Sequence, residues 1–431
     1  MTFSSLTRSA IDSANPDKIF NLSFPLPLRL ASLFILGYWL FAINVRHFEK
    51  TRISCKRLLA YNTESSPIFS QAAALTAIFY LVALIYWTIA AYIASVNWFL
   101  KCLIWVPFIA VVMMMFLPVR LFNHRGRASF ASCMVRVFSG KMTKSTRFTD
   151  ILIADVATSY SKVLGDLWIC IIMTLSGADY LSSINRDAGW KVLTVAVLCF
   201  PSALRFKQCL MDYSFTKDKT HLYNAGKYFS AFPVILLSGY QSSLSTKETE
   251  LIKSKDIKTI ASVFAKSSSS KYSEKALKQL DDFALSRIVN DLLESNYWST
   301  WGSMASIVAV IINTCYSFYW DIVFDWDLTL LNSWWTLLDK SHHYGLRERL
   351  HYGRMGLYYS AVVIDLVLRF SWAIRFAPPF YYVPKHEFGV FLFQSLEILR
   401  RWIWLFFRVE TEWVRTDKQE ASSVDMHAYE E

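Results

Sequence analysis

The chain has 431 residues and a formal net charge of +11; 54% of its residues are hydrophobic and 16% aromatic. The apolar residues gather in long runs rather than at core spacing, which argues against a soluble protein and for a membrane one. The basic excess would suit nucleic acid in a soluble chain. Here Lys and Arg fall in short loops beside apolar runs, so cytoplasmic anchoring is the better reading and no nucleic-acid partner is expected.

In chain order, residues 1–27 form a polar N-terminal segment without the basic-then-apolar layout of a cleaved signal. Asn21-Leu22-Ser23 matches a glycosylation sequon but lies beside the first apolar run. Apolar runs follow at roughly 28–45, 71–94, 97–119, 151–174, 189–204, 224–244, 297–320, 356–376 and 388–407, with a short or re-entrant piece between Asp325 and Leu338. The expected fold is all-α: a polytopic bundle of about eight to ten membrane helices over 28–414.

Residues 246–295 read as a long loop, with an amphipathic helix over Ser273 to Ser295. The polar stretch 415–431 reads as a cytoplasmic, disordered tail. Basic residues in 46–57, 120–150 and 205–219 place those loops in the cytoplasm; Arg205 counts here only as a loop charge. The N-terminus is then lumenal, or cytoplasmic if one more span is present. The seven cysteines show no paired spacing and read as free thiols. His342-His343 lacks metal-ligand spacing, no phosphate loop or nucleophile–base set is present, and neither cofactor, metal nor enzymatic activity is expected.

Five constellations carry chemistry. Glu397, Arg400 and Arg401 interrupt an aromatic span, FLFQSLEILRRWIWLFF. A charge at mid-bilayer costs at least about 2.5 kcal/mol, so it survives where it lines a cavity or meets a partner. Two cations beside one anion favour an anion site over a self-neutralised structural pair. Asp365 and Arg369 stand four apart in VVIDLVLRFSW, followed by Trp372, and read equally as an ion pair or a substrate contact. Asp321 and Asp325 share a face, repel each other and call for a cation, unless both lie wet at an interface. In NAGKY, Gly226 could open a donor-rich entrance beside Lys227 and Tyr228, against the commoner reading of a snorkelling lysine with an interfacial tyrosine. Asp155, Lys162 and Asp166 add polar groups to the 151–174 run, as lining or as bundle contacts.

Four motifs in order then resemble one family: PSALRFKQCLMDYSFTKDKTHLYNAGKYFS from Pro201, YSFYWDIVFDWDL from Tyr316, LRERLHYGRMGLYYSAVVIDLVLRFSW from Leu346 and LEILRRWIWLFFRVETEW from Leu396. IADVATSY at Ile153 matches more weakly. The resemblance is to the EXS-domain family, which includes eukaryotic phosphate exporters and fungal ER-retention-defective Golgi proteins. It implies an EXS-type bundle with its core from about residue 150, inorganic phosphate as substrate, and a homodimer. The implied phosphate path comprises Asp155, Arg205, Lys227, Tyr228, Asp321, Asp325, Arg369, Trp372, Glu397, Arg400 and Arg401.

The full-length exporters carry a preceding SPX domain, for which the polar N-terminal segment leaves no room; this points to the short fungal subgroup. Met211 and Asp212 stand where the family usually has basic residues, and Leu405 replaces a usual Asn. The resulting expectation is a multi-pass Golgi protein, cycling with the endoplasmic reticulum, that moves phosphate from lumen to cytosol and supports glycosylation and protein retention. The alternative is a trafficking scaffold that holds glycosyltransferases or ER residents and reaches coat adaptors through its tail. An enzyme acting on lipid phosphates ranks last.

Overall fold

The computed structural model describes residues 16–59, 64–92, 98–117, 123–139, 147–177, 184, 191–253, 302–331, 340–376 and 386–430. The described residues are helical, with α1 Pro16–Ser23, α2 Leu26–Lys50, α3 Cys55–Leu59, α4 Ser65–Tyr92, α5 Trp98–Leu103 and α6 Val106–Phe116 first in order. Next come α7 His124–Ser139, α8 Arg147–Ser159, α9 Ser161–Leu175, α10 Lys191–Thr216, α11 Lys219–Phe229 and α12 Ala231–Lys253. α13 covers Gly302–Asp325. α14 Met355–Arg369 and α15 Glu387–Glu430 complete the set, with 3₁₀ turns at Lys340–Gly345 and Ser371–Phe376.

By length and composition, α2, α4, α10, α13 and the α5–α6 stretch Trp98–Phe116 can each cross a bilayer. The pair α8–α9, bent by 60° at Tyr160, makes a sixth. α14 and α15 fall outside that count for physical reasons. α14 has only 15 residues. α15 carries Glu397, Arg400 and Arg401 in its apolar stretch. The protein is an all-α, polytopic membrane protein.

α2 lies at the centre, against α4, α6, α9 and α15. α10 packs on α8, α9, α11 and α12, and α14 on α15. One large core joins α2, α13, α14 and α15, with Trp326 and Tyr358 at 4.9 and 5.2 Å from the ring of Phe407. Leu81, Leu84, Ile109, Val308 and Val367 face outward, as lipid contact requires. At the end of α2, Glu49 accepts from both the backbone N–H and the Oγ of Ser65 at 2.6 Å, fixing the N-terminus of α4.

Three sequence expectations differ from the structure, and the N-terminal segment gains a helix. The run 151–174 is two helices, not one straight span. α10 continues helically to Thr216, so Arg205 lies inside a helix rather than a loop; nothing between Phe206 and Thr216 breaks it. The polar N-terminal segment contains α1, held against α15 by Phe20–Phe388 ring contact at 5.6 Å and by Asp17, which accepts from the Glu387 N–H at 2.9 Å. α15 does not end near Arg415 but runs on to Glu430; Lys, Gln, Glu and Ala after Thr416 are good helix formers. Residues 246–253 extend α12, whereas the amphipathic helix expected over 273–295 and the piece expected over 332–338 lie outside the described residues.

Candidate functional site

Asp321 is the hub. It is wholly buried, and three cations reach it: Lys227 Nζ at 2.9 Å on Oδ1, and Arg369 Nη2 and Arg400 Nη1 (3.4 Å) on Oδ2. The last turn of α13, Asp321–Asp325, is π-helical. A π turn is wider than an α turn and commonly marks a functional position. It lets both carboxylates face Lys227, which also lies 3.5 Å from Asp325 Oδ2. The repulsion between Asp321 and Asp325 read from sequence is thus relieved by a lysine from α11. Lys227 is 6% exposed and does not snorkel.

From α14 and α15 the network continues. Arg369 Nε donates to Asp365 Oδ2 at 3.1 Å, one helical turn away. Arg400 donates to Asp365 Oδ1 at 3.2 Å and grips Glu397 with two bonds of 3.0 and 2.6 Å. Glu397 also accepts from Ser159 Oγ at 2.8 Å. Its side chain is 37% exposed, so this carboxylate opens from the cluster onto accessible space.

A second arm joins α8, α10 and α11. Arg205 Nε donates to Asp155 Oδ1 at 2.6 Å, and its Nη1 to Gln208 at 2.7 Å. Tyr228 Oη accepts from Arg205 Nη2 at 3.3 Å and donates to Asp155. Its ring lies 5.5 Å from Lys227 Nζ, which links the two arms. Trp372 stands in the turn after Arg369, beside Phe370.

Arg401 differs from the other cations. Arg205, Lys227, Arg369 and Arg400 each have a carboxylate within 4.0 Å. Among the described residues Arg401 has hydroxyls instead: Nε donates to Ser159 Oγ at 3.0 Å and Nη2 to Thr158 Oγ1 at 3.2 Å. Its plane lies 4.5 Å from the Trp404 ring, and Nη1 is buried without a hydrogen-bond partner. Thr158 and Ser159 sit at the break between α8 and α9. Backbone irregularity at membrane depth is tolerated where it is buried in protein or lines a cavity, and broken helices often frame transporter sites. Here the α8–α9 break, the π turn of α13 and the 3₁₀ turn after α14 flank one cluster.

Ten of the eleven residues expected on the path therefore meet in one polar network, with Trp372 at its edge. From sequence, Gly226 could open the backbone, against the commoner reading of a snorkelling lysine with an interfacial tyrosine; the structure shows neither. Gly226 lies inside α11, and a Cβ there would stand 3.3 Å from Tyr316 Oη, so this glycine serves close packing with α13. Asp212, which stands where the family usually has a basic residue, pairs with Arg147 at 3.0 Å. Thr158, Ser159, Gln208, Trp404 and Arg408 were not singled out from sequence. Trp404 donates to Asp325 Oδ2 at 3.2 Å. Hydroxyls and indoles in apolar runs carry no distinguishing pattern; only the seven-residue step from Arg401 to Arg408 hinted at a shared face.

The sequence profile of the EXS family matches residues 24–414. The chain belongs to the EXS family. It is 26% identical over 410 residues to Protein ERD1 homolog 1 of Schizosaccharomyces pombe, covering 90% of this chain and 91% of that one. Protein ERD1 of Kluyveromyces lactis is 27% identical over 68% of this chain and 66% of its own length. Human Solute carrier family 53 member 1 is 27% identical over 310 residues; the match takes in 68% of this chain and 36% of that protein. The likeness to the ERD1 proteins agrees with the short fungal subgroup.

Proposed function

We propose that this EXS protein conducts inorganic phosphate across a Golgi membrane, from lumen to cytosol. The observation that carries the reading is Arg401. The residue is 7% exposed, and its guanidinium is braced by two hydroxyls and an indole, has an unpartnered Nη1, and lies beside a carboxylate that opens onto accessible space. A guanidinium so placed is a planar fork for a tetrahedral oxyanion. Arg400, Arg369 and Lys227, linked to Arg401 through Ser159, Glu397 and Asp321, replace water around the anion. Asp321, Asp365 and Glu397 compete for the same cations, which keeps the anion from being held too tightly to leave.

The substrate rests on the family resemblance, and the solute-carrier name of a human relative supports transport rather than catalysis. Glycosyl transfer in the lumen releases nucleoside diphosphate, whose hydrolysis leaves phosphate to be removed; transport in this direction would support glycosylation and the retention of resident proteins. The test is release of labelled phosphate from vesicles containing the purified protein, with and without a proton gradient and with sulfate as competitor. Release no faster than from empty vesicles refutes the reading.

A second role as a trafficking scaffold is favoured by the length of α15. Its 44 residues extend about 66 Å, against a hydrocarbon core of about 30 Å. The projecting end could meet adaptors. Truncation after Arg415 should abolish retention of resident enzymes and spare phosphate release if this role exists.

A further inference from the structure

Glu387, Gln394, Arg401, Arg408 and Arg415 recur every seven residues along α15. An α-helix drifts by only about 20° per seven residues, so Arg408 follows Arg401 on nearly the same face, about 10.5 Å further along. Its surroundings suit an anion. The guanidinium is held over the Phe148 ring at 4.9 Å, and its side chain is 13% exposed. Nη1 donates to Glu412 at 3.2 Å. Nε lies 3.6 Å from Asp325 Oδ1, an ion pair longer than a hydrogen bond. Asp325 meanwhile faces Lys227 and Trp404 through its other oxygen. One carboxylate thus joins the central cluster to Arg408, and the remaining guanidinium N–H groups have no hydrogen-bond partner among the described residues.

We infer that Arg408 is a second anion station, to which a phosphate leaving Arg401 passes on its way to the Arg415 end of α15. This rests on the transport reading above. Asp325 and Glu412 are the counter-charges that the anion displaces on arrival and that reclaim the arginine on release. The loose Asp325 pair makes that exchange easier than at Arg400, whose two bonds to Glu397 are short.

Half-saturating phosphate measured at each face, in sealed membrane vesicles of either orientation, tests this. Arg408→Gln should raise it about tenfold at the Arg415 face, as loss of a charged hydrogen bond implies, and leave the Glu387 face unchanged. Glu412→Gln, which frees the guanidinium, should lower it at the Arg415 face. Arg349→Gln removes an exposed cation paired with Asp417 at 2.7 Å and should change neither face. Wild-type values for Arg408→Gln at both faces, an equal rise at both, or the same rise in Arg349→Gln would overturn the inference. If Arg408→Gln does not fold, an unchanged Glu412→Gln overturns it. Arg401→Gln separates the two readings: intact release in that variant removes transport through this cluster, whereas loss there with a silent Arg408 removes only the second station.

Discussion

Arg401 reaches Ser159 across the break between α8 and α9, Nε to Oγ at 3.0 Å, and the same hydroxyl donates to Glu397. Ser159 thus sets the spacing between the cation and the carboxylate that limits it. Ser159→Ala removes a hydrogen bond to each charged partner. Phosphate release should fall about tenfold without being abolished, since the guanidinium keeps Thr158 and Trp404. Initial rates in reconstituted vesicles measure this.

Asp321 pairs with three largely desolvated cations at once. Asp321→Asn keeps its size and removes its charge, leaving Lys227, Arg369 and Arg400 undercompensated. Breaking a buried ion pair from one side costs roughly 3–5 kcal/mol. The variant should show a clearly lowered melting temperature in detergent, and asparagine in place of Asp417, the solvent-accessible partner of exposed Arg349, should not.

A second buried pair lies outside the anion site. Glu410 is wholly buried and meets Arg347 and Tyr358, while the N–H of His351 donates to it at 2.8 Å. It fastens the segment before α14 to α15. Glu410→Gln should destabilise the protein by roughly 3–5 kcal/mol, and replacing both Arg347 and Glu410 with Met should recover much of that. Phosphate release per folded molecule should be unchanged, because neither residue touches the cluster.

The charges inside apolar runs were the legible part of this molecule. Arg400, Arg401, Glu397, Asp365 and Arg369 announce themselves because each is expensive in a bilayer, and i to i+4 spacing correctly paired Asp365 with Arg369. The Asp321–Asp325 repulsion signalled a missing cation but not which one. Lys227 is 94 residues from Asp321 in sequence, and only the fold supplies that contact. The break at Tyr160 was not legible, because TSYSK contains no Gly or Pro. Arg205 was misplaced because the apolar run fades at residue 204 while the helix continues. Arg347 and Glu410 looked like ordinary polar residues, 63 apart, until the fold buried both.

Outside the membrane, Lys418 ties the projecting part of α15 to Glu348 at 3.0 Å. The hydrogen bond from Lys418 and its charge hold the Glu348 carboxyl below its ordinary value. A lowered carboxyl contributes its tether above the ordinary carboxylate value, about 4.3, and loses it as pH falls through the lower folded value. Amide exchange over residues 415–420, corrected for intrinsic rate, should stay constant from about pH 8 to 5 and rise only in stronger acid. Glu348→Gln should raise it slightly at neutral pH, since exposed pairs contribute little.

The central claim is that the buried Arg401 fork holds phosphate in transit. Its most direct test is release of labelled phosphate from vesicles reconstituted with wild-type or Arg401→Ala protein, both shown to be folded and equally incorporated. The account predicts rapid release from the wild type and release at the empty-vesicle rate from the variant. Equal release from the two would contradict it.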